Sequence, residues 1–203
     1  MRKIHKLISV IILIIFAYFY MGTFNEATQE REKPPEYTKQ PTNMGEHIVE
    51  IIQPIATYPE YDIPLEEDLQ EYIWNLANEY EISYEMVLAV INAESSFRTD
   101  VVSRTNDYGL MQINSKYMDY HAAKAGIDDF DPFNPYQNVK VGIHLLATER
   151  NYWRSQEMGE EYVFMYTLGS YKCGRTGVKE YGLPMDYINK ISTYKSRLEL
   201  SNI

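Results

Sequence analysis

Val87, Ile91 and Glu94 stand four and three residues apart, so on a helix they share one face, and that face is otherwise apolar. A carboxyl group held there is partly desolvated, which favours its neutral form. Glu94 also falls in the expected last turn, where the negative end of the helix macrodipole opposes a carboxylate. Such a group is a proton donor near neutral pH, the part that a leaving glycosidic oxygen requires. The competing interpretation is a glutamate at the solvated end of an amphipathic helix, and position alone does not separate the two. Other chemistry is thinly represented. The single cysteine, Cys173, has no histidine near it in sequence and reads as a small packing residue rather than a nucleophile. His5, His47, His121 and His144 are scattered, and no Cys/His spacing fits a zinc site, so neither a metal nor another cofactor is expected.

A second cluster follows Glu94 at short range. Val90-Ile91-Asn92-Ala93-Glu94-Ser95-Ser96-Phe97 is followed by a polar loop and then by Asn106-Asp107-Tyr108-Gly109-Leu110-Met111-Gln112-Ile113-Asn114. Gly-Leu-Met-Gln alone is a turn followed by core residues. Placed just after Glu-Ser and an aromatic residue, it resembles the soluble lytic transglycosylase family of the lysozyme-like superfamily. The resemblance extends over roughly residues 65–198. Ser103 matches the serine before the Gly-Leu-Met-Gln motif. Asp131-Pro132, Asn134-Pro135, Asn138, Gly142 and Leu145 look like the family's asparagine-marked helix start. Tyr166-Thr167-Leu168-Gly169-Ser170 stands for its Tyr-Asn-x-Gly-Ser motif, and Tyr187-Ile188 for its closing helix.

The resemblance implies a catalytic role for Glu94 as general acid and then base. It implies a glycan groove involving Ser95, Ser103, Asp107, Gly109, Leu110, Met111, Gln112, Tyr166, Thr167 and Tyr187. Gln112 would line the groove and Tyr166 would support Glu94 or the sugar. Thr167 departs from the family's Asn, and its shorter side chain offers no amide. Asp107-Tyr108-Gly109 also looks like the Asp-Tyr-Gly stretch of animal-type lysozymes and like the small specialised transglycosylases of secretion and conjugation machineries. Asp107 is then either a partner carboxylate or a turn residue bonding its own backbone. Three functions follow. The implied one is a peptidoglycan lytic transglycosylase that cleaves the β-1,4 bond between N-acetylmuramic acid and N-acetylglucosamine and leaves 1,6-anhydromuramic ends. The others are a muramidase using Asp107 and a non-catalytic glycan-binding module. The intact Glu94 and Gln112 speak against the last.

The elements that must position these residues read as helices. Leu65, Leu69, Tyr72, Ile73, Leu76 and Tyr80 recur at three- and four-residue steps. Ser83 is an expected N-cap for the helix that carries Glu94, with Glu85 in its first turn. Further helices are expected over residues 137–152, 161–166 and 185–198. Residues 104–114 read as a loop or short hairpin. The fold class expected is therefore mainly α, a lysozyme-like helical domain over residues 65–203.

Composition and the N-terminus bear on location. The formal charge is −10 with no basic stripe, which excludes nucleic acid as a partner. The 19 tyrosines serve chiefly in packing, with some available as sugar-stacking faces. Arg2, Lys3 and Lys6 precede an apolar run from Leu7, which to Phe24 spans about 27 Å as a helix, near the thickness of a hydrocarbon core. The expected reading is a signal anchor over residues 1–24, seated in the membrane through residues 4–24, with its N-terminus in the cytoplasm and the rest outside. The alternative is secretion after signal-peptide cleavage. Residues 25–64, rich in Glu, Thr, Gln and Pro, read as an extracytoplasmic linker reaching roughly 35 Å. Peptidoglycan strands are the expected partner, and nothing in the sequence identifies a wall-spanning machinery that the domain would serve.

Overall fold

A computed structural model describes residues 58–201; the expected anchor and the expected linker up to residue 57 lie outside the described residues. Six helices and one hairpin occur among the described residues: α1 (Glu67–Glu79), α2 (Tyr84–Ser95), β1 (Asp107–Tyr108), β2 (Ile113–Asn114), α3 (Met118–Lys124), α4 (Pro135–Arg154), α5 (Glu160–Tyr181) and α6 (Met185–Ser201). The mainly helical expectation holds. Among the described residues no helix is long and apolar enough to cross a membrane.

The helix that bears Glu94 is the core helix. Met86 to Ile91 are all buried, so α2 is enclosed on every face rather than along one stripe. The sequence pattern of Val87, Ile91 and Glu94 detected one side of a helix that is apolar all round. Ser83 caps it as expected, its hydroxyl accepting from the Met86 amide at 3.2 Å. The long α6 packs along α2, α5 packs along α4, and α1 rests against both α2 and α4. Ile73, Leu88, Ile91, Ile143, Leu146, Leu168 and Ile191 are sealed from solvent between them. Each such side chain contributes roughly 1.5–3 kcal/mol of burial.

The hairpin is antiparallel, with Asp107 opposite Asn114 and Tyr108 opposite Ile113. Asn138 at the start of α4 fixes it. Its side-chain oxygen accepts from the Met111 amide at 2.8 Å, and its side-chain nitrogen donates to the carbonyls of Tyr108 and Pro132, both at 2.9 Å. This fully buried amide thereby satisfies one acceptor and two donors. Asn134 caps α4 through the amides of Tyr136 and Gln137, as the asparagine-marked helix start implies.

Two sequence boundaries move. The expected linker ran to residue 64, but Tyr61 is buried and its backbone exchanges hydrogen bonds with the Gln70 side chain at 3.1 and 3.2 Å. The packed unit therefore includes residues before Leu65. The helix expected over 161–166 runs on as α5, which bends at Gly174 (φ 73°, ψ 161°). That left-handed residue ends one helical segment and re-aims the next.

Candidate active site

A cleft of about 800 Å³ opens between the end of α2, the hairpin, α3 and the bend of α5. Glu94 emerges into it where α2 stops. The stop is made by two consecutive left-handed residues, Ser96 (φ 54°) and Phe97 (φ 64°). Asn106 (φ 61°) and Gln112 (φ 50°) share that conformation, so four of the six non-glycine residues of positive φ among the described residues surround Glu94 and the hairpin. Such backbone costs about 1–3 kcal/mol at each position and persists only where the surroundings impose it. Here the buried Phe97, stacked near Tyr194, and the Asn138 clamp impose it.

The Glu94 side chain is only 7% exposed. Lys172 Nζ lies 3.2 Å from one of its oxygens and 3.4 Å from the other. The same ammonium sits 5.0 Å from the centre of the Tyr187 ring. Tyr171 lines the cleft, and Tyr187 lies beside Glu94 and Lys172. Burial pushes both phenols well above their usual range, and the negative charge of Glu94 adds to it. Tyr171 donates to the Met111 carbonyl at 2.7 Å. The Tyr187 hydroxyl is buried beside Glu94.

Asp107 faces the same cleft. One of its oxygens accepts from Ser103 Oγ at 2.7 Å and from Thr105 Oγ1 at 2.5 Å, and the other accepts from Asn114 Nδ2 at 2.6 Å. Burial works to raise its carboxyl, but these hydrogen bonds and the Lys172 charge outweigh it and hold Asp107 below the usual carboxylate range. Gln112 donates through Nε2 to the carbonyls of Gly109 at 2.9 Å and Val101 at 3.2 Å. Its side-chain oxygen is then the group available to a ligand. Tyr117 and Tyr120, half or more exposed, form an aromatic shelf at the α3 end beside His121. Burial lowers the His121 imidazole. The opposite wall carries Arg175, bonded through two nitrogens to Glu149 at 2.7 and 3.1 Å. Among the described residues no cluster of His, Cys, Asp or Glu side chains is set to hold a metal ion.

The structure thus brings Glu94, Asp107 and Gln112 to one cleft and seats Tyr187 beside Glu94. Ser103 contributes through Asp107. Other expected groove residues are elsewhere. Leu110 and Met111 have no exposed side chain; they are core, and Met111 reaches the site only through its carbonyl. Gly109 packs against Pro132 and Asn138. Ser95 is buried and donates to the Ile91 carbonyl at 3.1 Å. Tyr166 stacks on Trp153, with ring centres 4.7 Å apart, and lies outside the cleft lining. Thr167 is 1% exposed.

The last two corrections have one cause. The spacing Tyr-x-x-Gly occurs twice, as Tyr166 to Gly169 and as Tyr171 to Gly174. Gly169 is a helix-interior glycine pressed against Leu183, whereas Gly174 makes the bend at the cleft wall. The second copy delivers Tyr171 and Lys172 to Glu94. Nothing in the local sequence separates the two glycines; the fold does.

The family model described as Transglycosylase SLT domain matches residues 71–184, more than half of the chain. No curated protein sequence matches it. Among solved structures, the chain is similar to the 70 kDa soluble lytic transglycosylase Slt70 from Escherichia coli, with a TM-score of 0.55 and 16% identity over 68% of this chain and 25% of that one. It is also similar to an inactive mutant of the lytic transglycosylase Slt from Pseudomonas aeruginosa, with a TM-score of 0.49 and 16% identity over 67% and 22%. The chain spans a quarter or less of the length of these proteins. With the motif residues of the hairpin, the cleft and this domain match in agreement, the chain belongs to the transglycosylase SLT-domain family.

Proposed function

We propose that this domain cuts peptidoglycan glycan strands as a lytic transglycosylase, with Glu94 as its acid and base. The observation that carries the reading is the position of Glu94. It is a nearly buried carboxyl lining an open cleft, at the end of the core helix of an SLT domain. In its protonated form Glu94 donates to the glycosidic oxygen as the bond from that oxygen to the anomeric carbon of N-acetylmuramic acid breaks. The substrate's own acetamide stabilises the cationic carbon. The 6-hydroxyl of the same sugar then bonds to that carbon and gives its proton to Glu94, which restores the acid. No water is consumed, and the product is a 1,6-anhydromuramic end.

Asp107 supports this route over a muramidase. The Asp107 carboxylate accepts three hydrogen bonds, from Ser103, Thr105 and Asn114, which tie it to the hairpin and compete with its use as a nucleophile. Asp107 is accordingly a hairpin-bracing residue. Gln112 and the Tyr117–Tyr120 shelf are the glycan contacts. The N-terminal apolar run and its basic flank support display of the domain outside the cytoplasm on a membrane tether.

Mass spectrometry of muropeptides released from purified peptidoglycan tests the reaction. Anhydro ends are expected, with loss of at least about 100-fold in Glu94→Gln. Reducing ends that disappear in Asp107→Asn would establish the muramidase instead.

A further inference from the structure

We propose that Lys172 is a displaceable counter-ion of Glu94, one that occupies the approach to the acid in the empty cleft and must yield to the glycan before a proton is transferred. The inference rests on the reading of Glu94 as the acid.

The geometry is specific. A general acid must come within about 2.6–3.2 Å of the oxygen it protonates. The solvent side of the Glu94 carboxyl is where that oxygen arrives, because the rest of the side chain is enclosed. Lys172 Nζ stands there, 3.2 and 3.4 Å from the two carboxyl oxygens. Both oxygens are thus faced by a single ammonium, and the glycosidic oxygen and Nζ cannot share that position.

Lys172 is built to move. Its side chain is 45% exposed, so water can take up its charge when it leaves. It follows directly on Tyr171, whose hydroxyl is anchored to Met111, and lies two residues before the bend at Gly174. The stem is therefore fixed while the four-carbon chain is free. Two features hold the ammonium in the cleft mouth. The Tyr187 ring lies 5.0 Å away, and Asp107 is the second carboxylate whose charge Lys172 offsets. The site thus gives Lys172 a neighbour of the right sign when Glu94 is taken by substrate.

Glu94 comes from α2, Asp107 from β1, Tyr171 and Lys172 from α5, and Tyr187 from α6. Lys190 on α6 is bonded to the Ala93 carbonyl at 3.2 Å, a backbone contact beside Glu94. On the other wall Arg175 is paired with Glu149. His121 and Lys116 line the α3 side. Among these Lys172 is the cation in ion-pair contact with Glu94.

The test compares Lys172→Met and Lys172→Arg with wild type on purified peptidoglycan strands, recording kcat and KM from acid to alkaline pH. The folded state of each variant is checked by thermal melting. In Lys172→Met kcat/KM at neutral pH should rise, because no ammonium has to leave before the glycosidic oxygen reaches Glu94. Lys172→Arg, which keeps the charge, should retain the wild-type profile. An unchanged or lowered kcat/KM in Lys172→Met would overturn the proposal, and a raised KM would make Lys172 a glycan-binding group. Folded Lys172→Met that is inactive at every pH would overturn it too, because the amine would then act in the chemistry. An active Glu94→Gln would defeat the reading of the acid itself, an outcome separate from either.

Discussion

The Tyr171 hydroxyl donates to the Met111 carbonyl at 2.7 Å, across sixty residues of sequence, and ties the bend of α5 to the hairpin loop beneath Glu94. Burial of the phenol holds Tyr171 well above its usual range, so it stays a neutral donor. Tyr171→Phe removes the donor and strands a buried carbonyl. A loss of about 1–3 kcal/mol is expected in denaturant unfolding, the cost of an unsatisfied buried group. Because the bond joins two walls of the cleft, kcat should fall alongside stability. Unchanged unfolding and unchanged turnover together would show that the tie is dispensable.

Gly109 meets two constraints at once. Its φ of 74° disfavours any side chain, and a Cβ would stand 2.3 Å from the Pro132 carbonyl oxygen. That neighbour is backbone and cannot swing aside. Gly109→Ala should therefore destabilise by more than about 2 kcal/mol, through strain added to overpacking. Asn138→Ala should do similar harm by releasing the Met111 amide and the Tyr108 and Pro132 carbonyls. The two losses should be less than additive, since both free the same hairpin. Thermal melting of the single and double variants measures this.

These two residues show what was legible. Gly109 and Asn138 both stand in motifs that the sequence displays, and the helix caps Ser83 and Asn134 follow from local hydrogen-bonding chemistry. Glu94 was readable because its carboxyl interrupts an apolar run. Lys172 and Tyr171 were not, because their importance comes from the bend at Gly174, which no local pattern distinguishes from the helix interior at Gly169. The aromatic shelf of Tyr117 and Tyr120 was hidden for a different reason. Exposed tyrosines at the cap and in the first turn of a seven-residue helix carry no periodic signal, and only the folded chain shows that they border a cleft.

Asp107 makes the hairpin sensitive to acid. Its carboxyl is held below the usual range in the folded protein, so its bonds contribute stability above the ordinary carboxylate value near pH 4. That contribution is lost as pH falls from there through the depressed folded value. Melting temperature should drop more steeply below about pH 4 in wild type than in Asp107→Asn. The variant should be the less stable at neutral pH, where an amide cannot accept at both positions now taken by oxygens. Parallel acid limbs for the two proteins would remove Asp107 from the account.

Thr167 separates a groove contact from a core position. The residue stands where a resemblance of sequence puts an asparagine that meets the sugar, and on that view Thr167→Asn should improve turnover. In the fold its side chain is 1% exposed, and its hydroxyl has no hydrogen-bond partner among the described residues. A larger amide placed there is overpacked and brings further polar atoms into the core, so Thr167→Asn should destabilise by roughly 1–3 kcal/mol with no gain in glycan affinity. Thr167→Val keeps the shape and removes the unpartnered hydroxyl. It should be neutral or stabilising by up to about 1 kcal/mol, with turnover unchanged. The pair of melting curves discriminates cleanly, because a sugar-binding threonine would lose affinity as valine and tolerate asparagine, the reverse order of effects.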